Sequence, residues 1–272
     1  MSALPSSHPT PDELASAVDA GLPLFYQPIF HTDGRAVAAE ALLRWQPAGR
    51  DVVPPPRVVA EAERLGLAHR LLTGTLRRAL GDVRRMPGWA DDLRLSVNVT
   101  PRQVEHREFA ADILDVLEAH ETEPFTLWLE ITERSRLDLD ARHVRRLTLL
   151  HEKGVRIAID DLGSGFASLE YLCRLPVSVV KIDRIFVERI GRCERHMRVL
   201  AGMAAIARDL GLVIVAEGVN TLEQVDFLAD LGVTLLQGYA LAPPAPPALF
   251  EMMSFRDMTP ALFGGSPPGR AP

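Results

Sequence analysis

Seven polar positions interrupt apolar, strand-like segments of the sequence, and their residue types could together bind metal ions. From the second position onward they recur about every 20 to 36 residues, which is roughly the length of one strand–helix unit. Carboxylates that converge on one site repel each other unless cations lie between them. The positions are Glu40, Asn98, Glu130, the adjacent pair Asp160–Asp161, Lys181, Glu217 and Gln237.

The donor atoms at these positions indicate hard divalent cations. No histidine is expected within these strand-like segments, so the ligands are oxygens, and Mg²⁺ or Mn²⁺ is expected instead of Zn²⁺. Asp160 and Asp161 suit a two-metal arrangement in which one carboxylate bridges both ions and its neighbour binds the second ion. Two such ions can activate water for attack on a phosphodiester.

The same residues leave a second chemistry open. A barrel with Mg²⁺-binding carboxylates and a lysine base also suits proton abstraction next to a carboxylate. Lys181 and Asp183 lie on one face of the same predicted strand, and a plain ion pair between them is the alternative to a binding role for Asp183.

Alternating strand-like and helical segments predict the scaffold that brings these positions together. Eight strand-like segments over about 230 residues fit a (β/α)8 TIM-like barrel better than an open sheet. A turn, "FHTDGRA", joins the first two segments, so we expect an irregular start with the first strand antiparallel to the second. The strand-like segments are 24–30, 37–45, 93–99, 125–132, 155–161, 179–183, 213–219 and 235–241.

Composition and the ends of the chain set further bounds. The chain has 272 residues, 47% of them hydrophobic, which allows a large core, and its net charge of −6 argues against a nucleic-acid polymer as partner. Only two cysteines, no signal-like start and no apolar run of roughly 18 residues favour a cytoplasmic protein without a membrane span. We expect a flexible N-terminus at 1–9, one barrel domain at 10–254 and a Gly/Pro-rich tail at 255–272.

Eight short motifs resemble the EAL family of cyclic-di-GMP phosphodiesterases, in that family's order, over about residues 20–253. The resemblance implies a barrel enzyme that opens cyclic di-GMP to linear pGpG with two Mg²⁺ or Mn²⁺ ions. The motifs are "YQPIF", "EALLRW", "SVNVTPRQ", "LEITE", "IDDLGSGFASL", "VVKIDRIFV", "VAEGV" and "QGYALAPP".

The resemblance also implies roles for individual residues. Lys181 would orient or polarise the attacking water, and Glu217 is either a metal ligand or the general base, with Asp161 as the third catalytic residue. Glu133 would brace the loop that follows Asp160–Asp161. The implied metal ligands are Glu40, Asn98, Glu130, Asp160 as the bridge, Asp161 and Glu217. The positions implied to bind the nucleotide are Gln27, Leu42, Arg44, Pro101, Asp183 and Gln237.

One departure from the family pattern lies near the implied second metal. The family usually has "EGVE" where this chain has "EGVN", so Asn220 replaces a carboxylate. The lost negative charge should weaken cation binding or misplace a water. The alternative function is therefore a weak or inactive EAL domain that serves as a cyclic-di-GMP receptor or a protein-interaction module.

The family often dimerises beside the acidic loop. The segment "SLEYLCRLP" matches that region, so it is a candidate interface for a homodimer, with ordinary helix packing as the alternative.

Overall fold

The structure, a computed structural model, describes residues 10–86, 93–120, 126–132, 140–163 and 168–252, together with residues 260 and 262. The predicted N-terminal segment 1–9 and nearly all of the predicted tail lie outside the described residues. Glu133, the predicted brace of the acidic loop, also lies outside them.

Eight strands close into a barrel in which each strand pairs with its neighbours in sequence and the last pairs with the first. The first strand is antiparallel to both of its neighbours, and the remaining adjacent pairs are parallel. The predicted TIM-like barrel with an irregular start is therefore confirmed. The strands are β1 (Leu24–His31), β2 (Ala36–Leu43), β3 (Arg94–Val99), β4 (Thr126–Thr132), β5 (Arg156–Leu162), β6 (Val177–Ile182), β7 (Val213–Ala216) and β8 (Leu235–Leu236).

Helices connect most of the strands and pack against the outside of the barrel. Thr10, Thr100 and Thr221 begin three of them with capping boxes, in which the threonine side chain accepts a hydrogen bond from the backbone three residues on. The helices are α1 (Pro11–Ala20), α2 (Pro55–Arg64), α3 (Ala68–Val83), α4 (Pro101–Glu105), α5 (Phe109–Ala119), α6 (Ala141–Glu152), α7 (Ser168–Arg174), α8 (Arg184–Val187), α9 (Glu194–Asp209), α10 (Leu222–Asp230) and α11 (Pro247–Glu251). Within the described ranges, no helix combines the length and the apolar character that crossing a membrane requires.

The side chains that point into the barrel form an apolar layer below a polar layer. Successive side chains of a strand face opposite sides, so residues two apart share a face. Four of the polar residues predicted from the sequence lie two positions beyond a member of the apolar layer on the same strand: Glu40 beyond Ala38, Glu130 beyond Trp128, Asp160 beyond Ala158 and Lys181 beyond Val179. The apolar layer consists of Ile29, Ala38, Trp128, Ala158, Val179, Val215 and Leu235.

The last two strands end earlier than the sequence predicts, because their backbones turn away at glycines. Glu217 and Gln237 each lie one residue beyond a strand end. A Cβ on Gly238 would lie 2.1 Å from the carbonyl oxygen of Val219, so only glycine permits these two loops to approach so closely. The Val219 amide donates to the carbonyl of Gln237 at 3.1 Å, which keeps Gln237 beside the end of β7.

One expectation about the histidines is wrong. His31 is the last residue of β1, so a histidine does lie within a strand. It pairs with Leu235, whereas the rim-facing part of β1 pairs Gln27 with Glu40. His31 is therefore at the opposite end of the barrel, and the oxygen donor set at the rim is unchanged.

Candidate active site

Lys181 lies at the centre of the rim, with four carboxylates around its ammonium group. It is 1% exposed, on β6. Barrel closure places around it acids from β2, β4, β5 and the loop after β7. The distances from Lys181 Nζ are 2.6 Å to Glu217 Oε1, 2.9 Å to Glu130 Oε2, 3.0 Å to Glu40 Oε2 and 3.8 Å to Asp160 Oδ1.

Amide side chains fix the carboxylate of Glu40. Asn98 Nδ2 donates to Glu40 Oε1 at 2.6 Å, and Gln237 Nε2 donates to Glu40 Oε2 at 2.9 Å. Gln237 Nε2 also lies 3.2 Å from Gln27 Oε1, and Gln27 Nε2 donates to the carbonyl of Ala242 at 3.1 Å. Because Gln27 and Glu40 are partners in the β1–β2 register, the hairpin itself aligns this network.

Glu130 is fully buried on β4 and has two hydrogen-bond partners. One of them, Ser96, is not predicted from the sequence. Ser96 Oγ donates to Glu130 Oε1, while Lys181 holds Oε2. Ser96 lies on β3 two residues before Asn98, so the two side chains share a face. That spacing was the available signal, but a serine two residues before a polar rim position carries little weight by itself.

A β-bulge explains how two adjacent carboxylates reach the same rim. In a regular strand Asp160 and Asp161 would point to opposite faces. The β5–β6 register shifts between Ile159 and Leu162, and Asp161 has φ +57°, a left-handed conformation that aspartate tolerates better than most residues. A carboxylate oxygen of each aspartate and one of Glu217 lie within 4.8 Å of one another.

Burial and mutual repulsion set the protonation of the cluster. Burial raises the pKa of Glu130 well above its usual value, with further repulsion from Glu40. Burial would also raise the pKa of Glu40, but Lys181 and the amides of Gln237 and Asn98 lower it below its usual value. Burial, together with repulsion from Asp160 and Glu40 and despite Lys181, raises the pKa of Glu217 to about 7. Burial opposes the charge of Lys181, but the surrounding carboxylates raise its pKa well above its usual value.

The donor set fits hard divalent cations. Four carboxylates surround the single ammonium group of Lys181, and Asp161 lies beside two of them, so negative charge is in excess at this site. Gln237 Oε1 is buried and has no hydrogen-bond partner among the described residues, so a further oxygen donor is available at the rim. Carboxylate and amide oxygens are the ligands that Mg²⁺ and Mn²⁺ prefer.

The residues predicted to bind a nucleotide are divided between the rim network and its border. Gln27 and Gln237 belong to the network around Glu40, as described above. Leu42 is half-buried near the end of β2 and pairs with Phe25. Arg44 follows β2 and is exposed, with its guanidinium carbon 5.3 Å from the centroid of the Phe25 ring. Pro101 is buried as the first residue of α4.

The structure does not place Asp183 on the strand of Lys181. Asp183 follows the end of β6 and is the N-cap of α8, where its Oδ1 accepts a hydrogen bond from the Ile185 amide at 2.8 Å. The plain ion pair between Lys181 and Asp183 is therefore wrong, because Lys181 pairs with the rim carboxylates instead.

Asn220 lies in the loop between β7 and α10, and its side chain is exposed. Its side-chain Nδ2 donates to the carbonyl of Gly218 at 2.8 Å, and its backbone N–H donates to Gln224 Oε1 at 2.7 Å. A glutamate cannot make the first of these bonds, because a carboxylate has no donor at neutral pH. The asparagine therefore ties its own side chain to the backbone beside Glu217.

Comparison with known proteins gives one consistent family. Residues 12–244 match the EAL domain family. MucR of Pseudomonas aeruginosa, named a bifunctional diguanylate cyclase/cyclic di-GMP phosphodiesterase, is 37% identical over 231 residues, which are 83% of this chain and 33% of MucR. RocR of the same bacterium, named a cyclic di-GMP phosphodiesterase, is 33% identical over 223 residues, which are 82% of this chain and 57% of RocR.

A solved structure agrees with the sequence comparison. The structure described as the MucR phosphodiesterase in complex with c-di-GMP has a TM-score of 0.76 and 35% identity, and the match covers 86% of this chain and 96% of that one. The chain spans about a third of the length of MucR and somewhat over half of that of RocR.

Proposed function

Because the chain belongs to the EAL domain family, we propose that it is a metal-dependent phosphodiesterase that hydrolyses cyclic di-GMP to linear pGpG. The convergence of carboxylates from β2, β4, β5 and the β7 loop on Lys181 carries the proposal, because such a rim suits ion-assisted attack on a phosphodiester. The names of MucR and RocR support the choice of substrate.

We assign two Mg²⁺ or Mn²⁺ sites that share Asp160. The second site adds Asp161 and Glu217, whose oxygens lie within 4.8 Å of one another and of Asp160. Bound there, the two ions supply the positive charge that activates water and neutralises the phosphodiester. The ligands assigned to the first site are Glu40, Asn98, Glu130 and Asp160.

Lys181 and Glu217 are assigned to the attacking water. Lys181 orients and polarises that water through its ammonium group. As the alternative to a role as metal ligand, Glu217 is proposed as the base that accepts the proton, because its side chain is 23% exposed, whereas those of Glu40 and Glu130 are 8% and 0% exposed. Among these three glutamates, Glu217 is therefore the one that water reaches most easily, and a pKa raised to about 7 suits a general base near neutral pH.

The border of the rim is assigned to the nucleotide. The exposed guanidinium of Arg44 suits a charge-assisted hydrogen bond to a phosphate oxygen. Leu42 lies on β2, two residues before Arg44, and provides apolar surface for a base. The remaining positions assigned to the nucleotide are Gln27, Pro101, Asp183 and Gln237.

The test is incubation of purified protein with cyclic di-GMP and Mg²⁺ or Mn²⁺, followed by chromatography of the products. We expect linear pGpG, loss of product when a chelator is added and its return when the metal is restored. Tight binding of cyclic di-GMP without linear product over hours would contradict the enzymatic proposal.

A second function follows from the same site if the protein binds without turnover. Asn220 favours this second function. Its side-chain amide hydrogen-bonds to the carbonyl of Gly218, and no carboxylate is present at this position to help bind a metal ion beside Glu217. In that case the protein is a cyclic-di-GMP receptor or interaction module. The assay above separates the two functions, because a receptor retains the intact cyclic dinucleotide.

We also propose a homodimer through α7. Leu169 on this helix is 61% exposed, and α7 follows the acidic loop directly in sequence. Sedimentation at several concentrations should show a dimer that Leu169→Asp dissociates. Leu149→Asp, at a 42% exposed leucine on α6, is the control, and equal dissociation by both variants would contradict this interface.

The proposed location is the cytoplasm. Cys173 and Cys193 are both free thiols, as expected for a reducing compartment.

A further inference from the structure

We propose a separate binding site for a transition-metal ion such as Zn²⁺ on the outside of the barrel, formed by His69, His106 and Asp112. One ligand atom from each of these residues lies within 4.8 Å of the others. His69 is the second residue of α3, His106 directly follows α4, and Asp112 is in the first turn of α5. The site would therefore connect three helices, and none of its three residues belongs to the rim network.

The donor chemistry of this cluster differs from that of the rim. Two imidazoles and one carboxylate are a ligand set that Zn²⁺ and neighbouring transition ions prefer, and Mg²⁺ does not. Zinc sites with three protein ligands leave the fourth position of the tetrahedron to water or another small ligand. The composition of the cluster thus predicts selectivity opposite to that of the acidic rim.

Both histidines have a ring nitrogen that the protein does not use. Nδ1 of His69 and Nδ1 of His106 are buried, and neither has a hydrogen-bond partner among the described residues. Buried polar atoms in proteins are usually partnered, so two such nitrogens side by side call for an occupant. Nε2 of His69 contacts a carboxylate oxygen of Asp112, so these two side chains already lie against each other.

The surroundings also favour the form of the imidazole that binds metals. Burial and the neighbouring His69 lower the pKa of His106 below its usual value. The neutral ring, with a lone pair on one nitrogen, is the metal-binding form.

Metal binding requires one ring to rotate. The rings of His69 and His106 are stacked, with centroids 3.8 Å apart and planes inclined by 15°. Parallel rings cannot direct two in-plane lone pairs at one ion. His106 lies in the short connection between α4 and α5, so rotation about its Cβ–Cγ bond leaves the helical hydrogen bonds in place. A bound ion would then link α3, α4 and α5 and raise the melting temperature.

The experiment is a titration of the 272-residue chain with Co²⁺ in excess Mg²⁺, followed by visible absorption. We expect one equivalent of Co²⁺ with the intense bands of four-coordinate Co²⁺, which added Zn²⁺ removes. The substitutions His69→Gln and His106→Gln should each weaken Co²⁺ binding by about 10-fold or more. His151→Gln, on α6, is the matched control and should leave the bands unchanged.

Two further measurements keep the result independent of the rim. Glu40→Gln should retain the intense bands, because oxygen ligands at the rim give six-coordinate Co²⁺ with weak absorption. Zn²⁺ should raise the melting temperature of the unsubstituted protein and not that of either histidine variant, whose melting temperatures without Zn²⁺ report on folding. Weak bands in the unsubstituted protein, or intense bands that persist in both histidine variants, would overturn the site.

Discussion

Two groups of residues on the same rim are held in place by different means. The inner group, Glu40, Asn98, Glu130 and Lys181, lies within regular strands. The outer group consists of Asp161, in a β-bulge, with Glu217 and Asn220 in the loop after β7. Asp160 lies between the two groups and contributes to both.

The two groups differ in the interactions that hold their side chains in position. Strand register fixes the inner group, since Asn98 and Glu130 are direct partners in the β3–β4 ladder and neighbouring side chains hydrogen-bond to Glu40. Backbone turns and close loop approaches fix the outer group, as at Gly238 beside Val219. Strand pairing therefore positions the inner group, whereas the position of the outer group depends on contacts between loops.

The largest expected effect is in the inner group. Glu40→Ala removes a proposed metal ligand and three of the contacts that order the rim, so turnover of cyclic di-GMP should be abolished. Product chromatography measures the loss, and circular dichroism checks the fold. Glu194→Gln, at an exposed carboxylate on α9, is the control, and activity retained in Glu40→Ala would mean that the first metal is misplaced.

A smaller effect is expected when the outer group is displaced without touching a ligand. Gly238→Ala places a Cβ 2.1 Å from the Val219 carbonyl oxygen, so the loops that carry Gln237 and Glu217 must separate. A displacement of about 1 Å can lower the rate about 100-fold. Gly202→Ala, where a Cβ meets nothing within 4 Å, is the matched control. Equal rates for both variants would show that the loop approach does not position the outer group.

In the chelator-treated protein, the free energy of unfolding should depend on pH through the protonation of Glu217, a member of the outer group. Its pKa in the folded state is about 7, against an ordinary value of 4.5, so between these pH values the folded protein holds a proton that the unfolded chain has released. The free energy of unfolding should therefore fall as pH rises from about 4.5 to about 7, by about 3 kcal/mol, and the contribution of this group should level off above pH 7. Urea titrations should show this slope, and Glu217→Gln should remove the part that Glu217 contributes, while Glu130, whose pKa is also raised, retains its own. An identical slope in both proteins would contradict the assignment.

The smallest effect is expected at the departure from the family pattern. Asn220→Glu should raise turnover, or lower the Mg²⁺ concentration required, by up to about 10-fold, because it restores a carboxylate near Glu217. Asn220→Gln has the length of glutamate without its charge, so it should not reproduce the gain. If neither the rate nor the metal requirement changes, residue 220 is peripheral to the outer group.

The inner group and the barrel could be predicted from the sequence, because both follow a period of two. Ala38 and Glu40, or Val179 and Lys181, share a face of a strand, and the recurrence of such pairs with intervening helices indicates a parallel barrel. The hairpin start followed from the short turn between β1 and β2.

The outer group has no such period. The predicted strands at 213–219 and 235–241 are too long, because the glycines that end β7 and β8 act through tertiary contacts that local sequence does not show. The predicted strand at 179–183 includes Asp183, which is the N-cap of α8 in the structure. A final strand residue and a helix N-cap both have extended backbone, so local sequence does not distinguish them. The histidine cluster was missed because its members come from three helices with unrelated positions in the sequence.

The bulge at Asp161 changes the number of side chains that β5 presents at the rim. One rim of a regular eight-strand barrel presents one inward side chain per strand, and the extra residue allows β5 to present two. Deletion of either aspartate would therefore remove the insertion as well as a ligand. Regular alternation would then leave Leu162 outside the barrel, on the same face as Ile159, and β5 would present a single carboxylate at the rim.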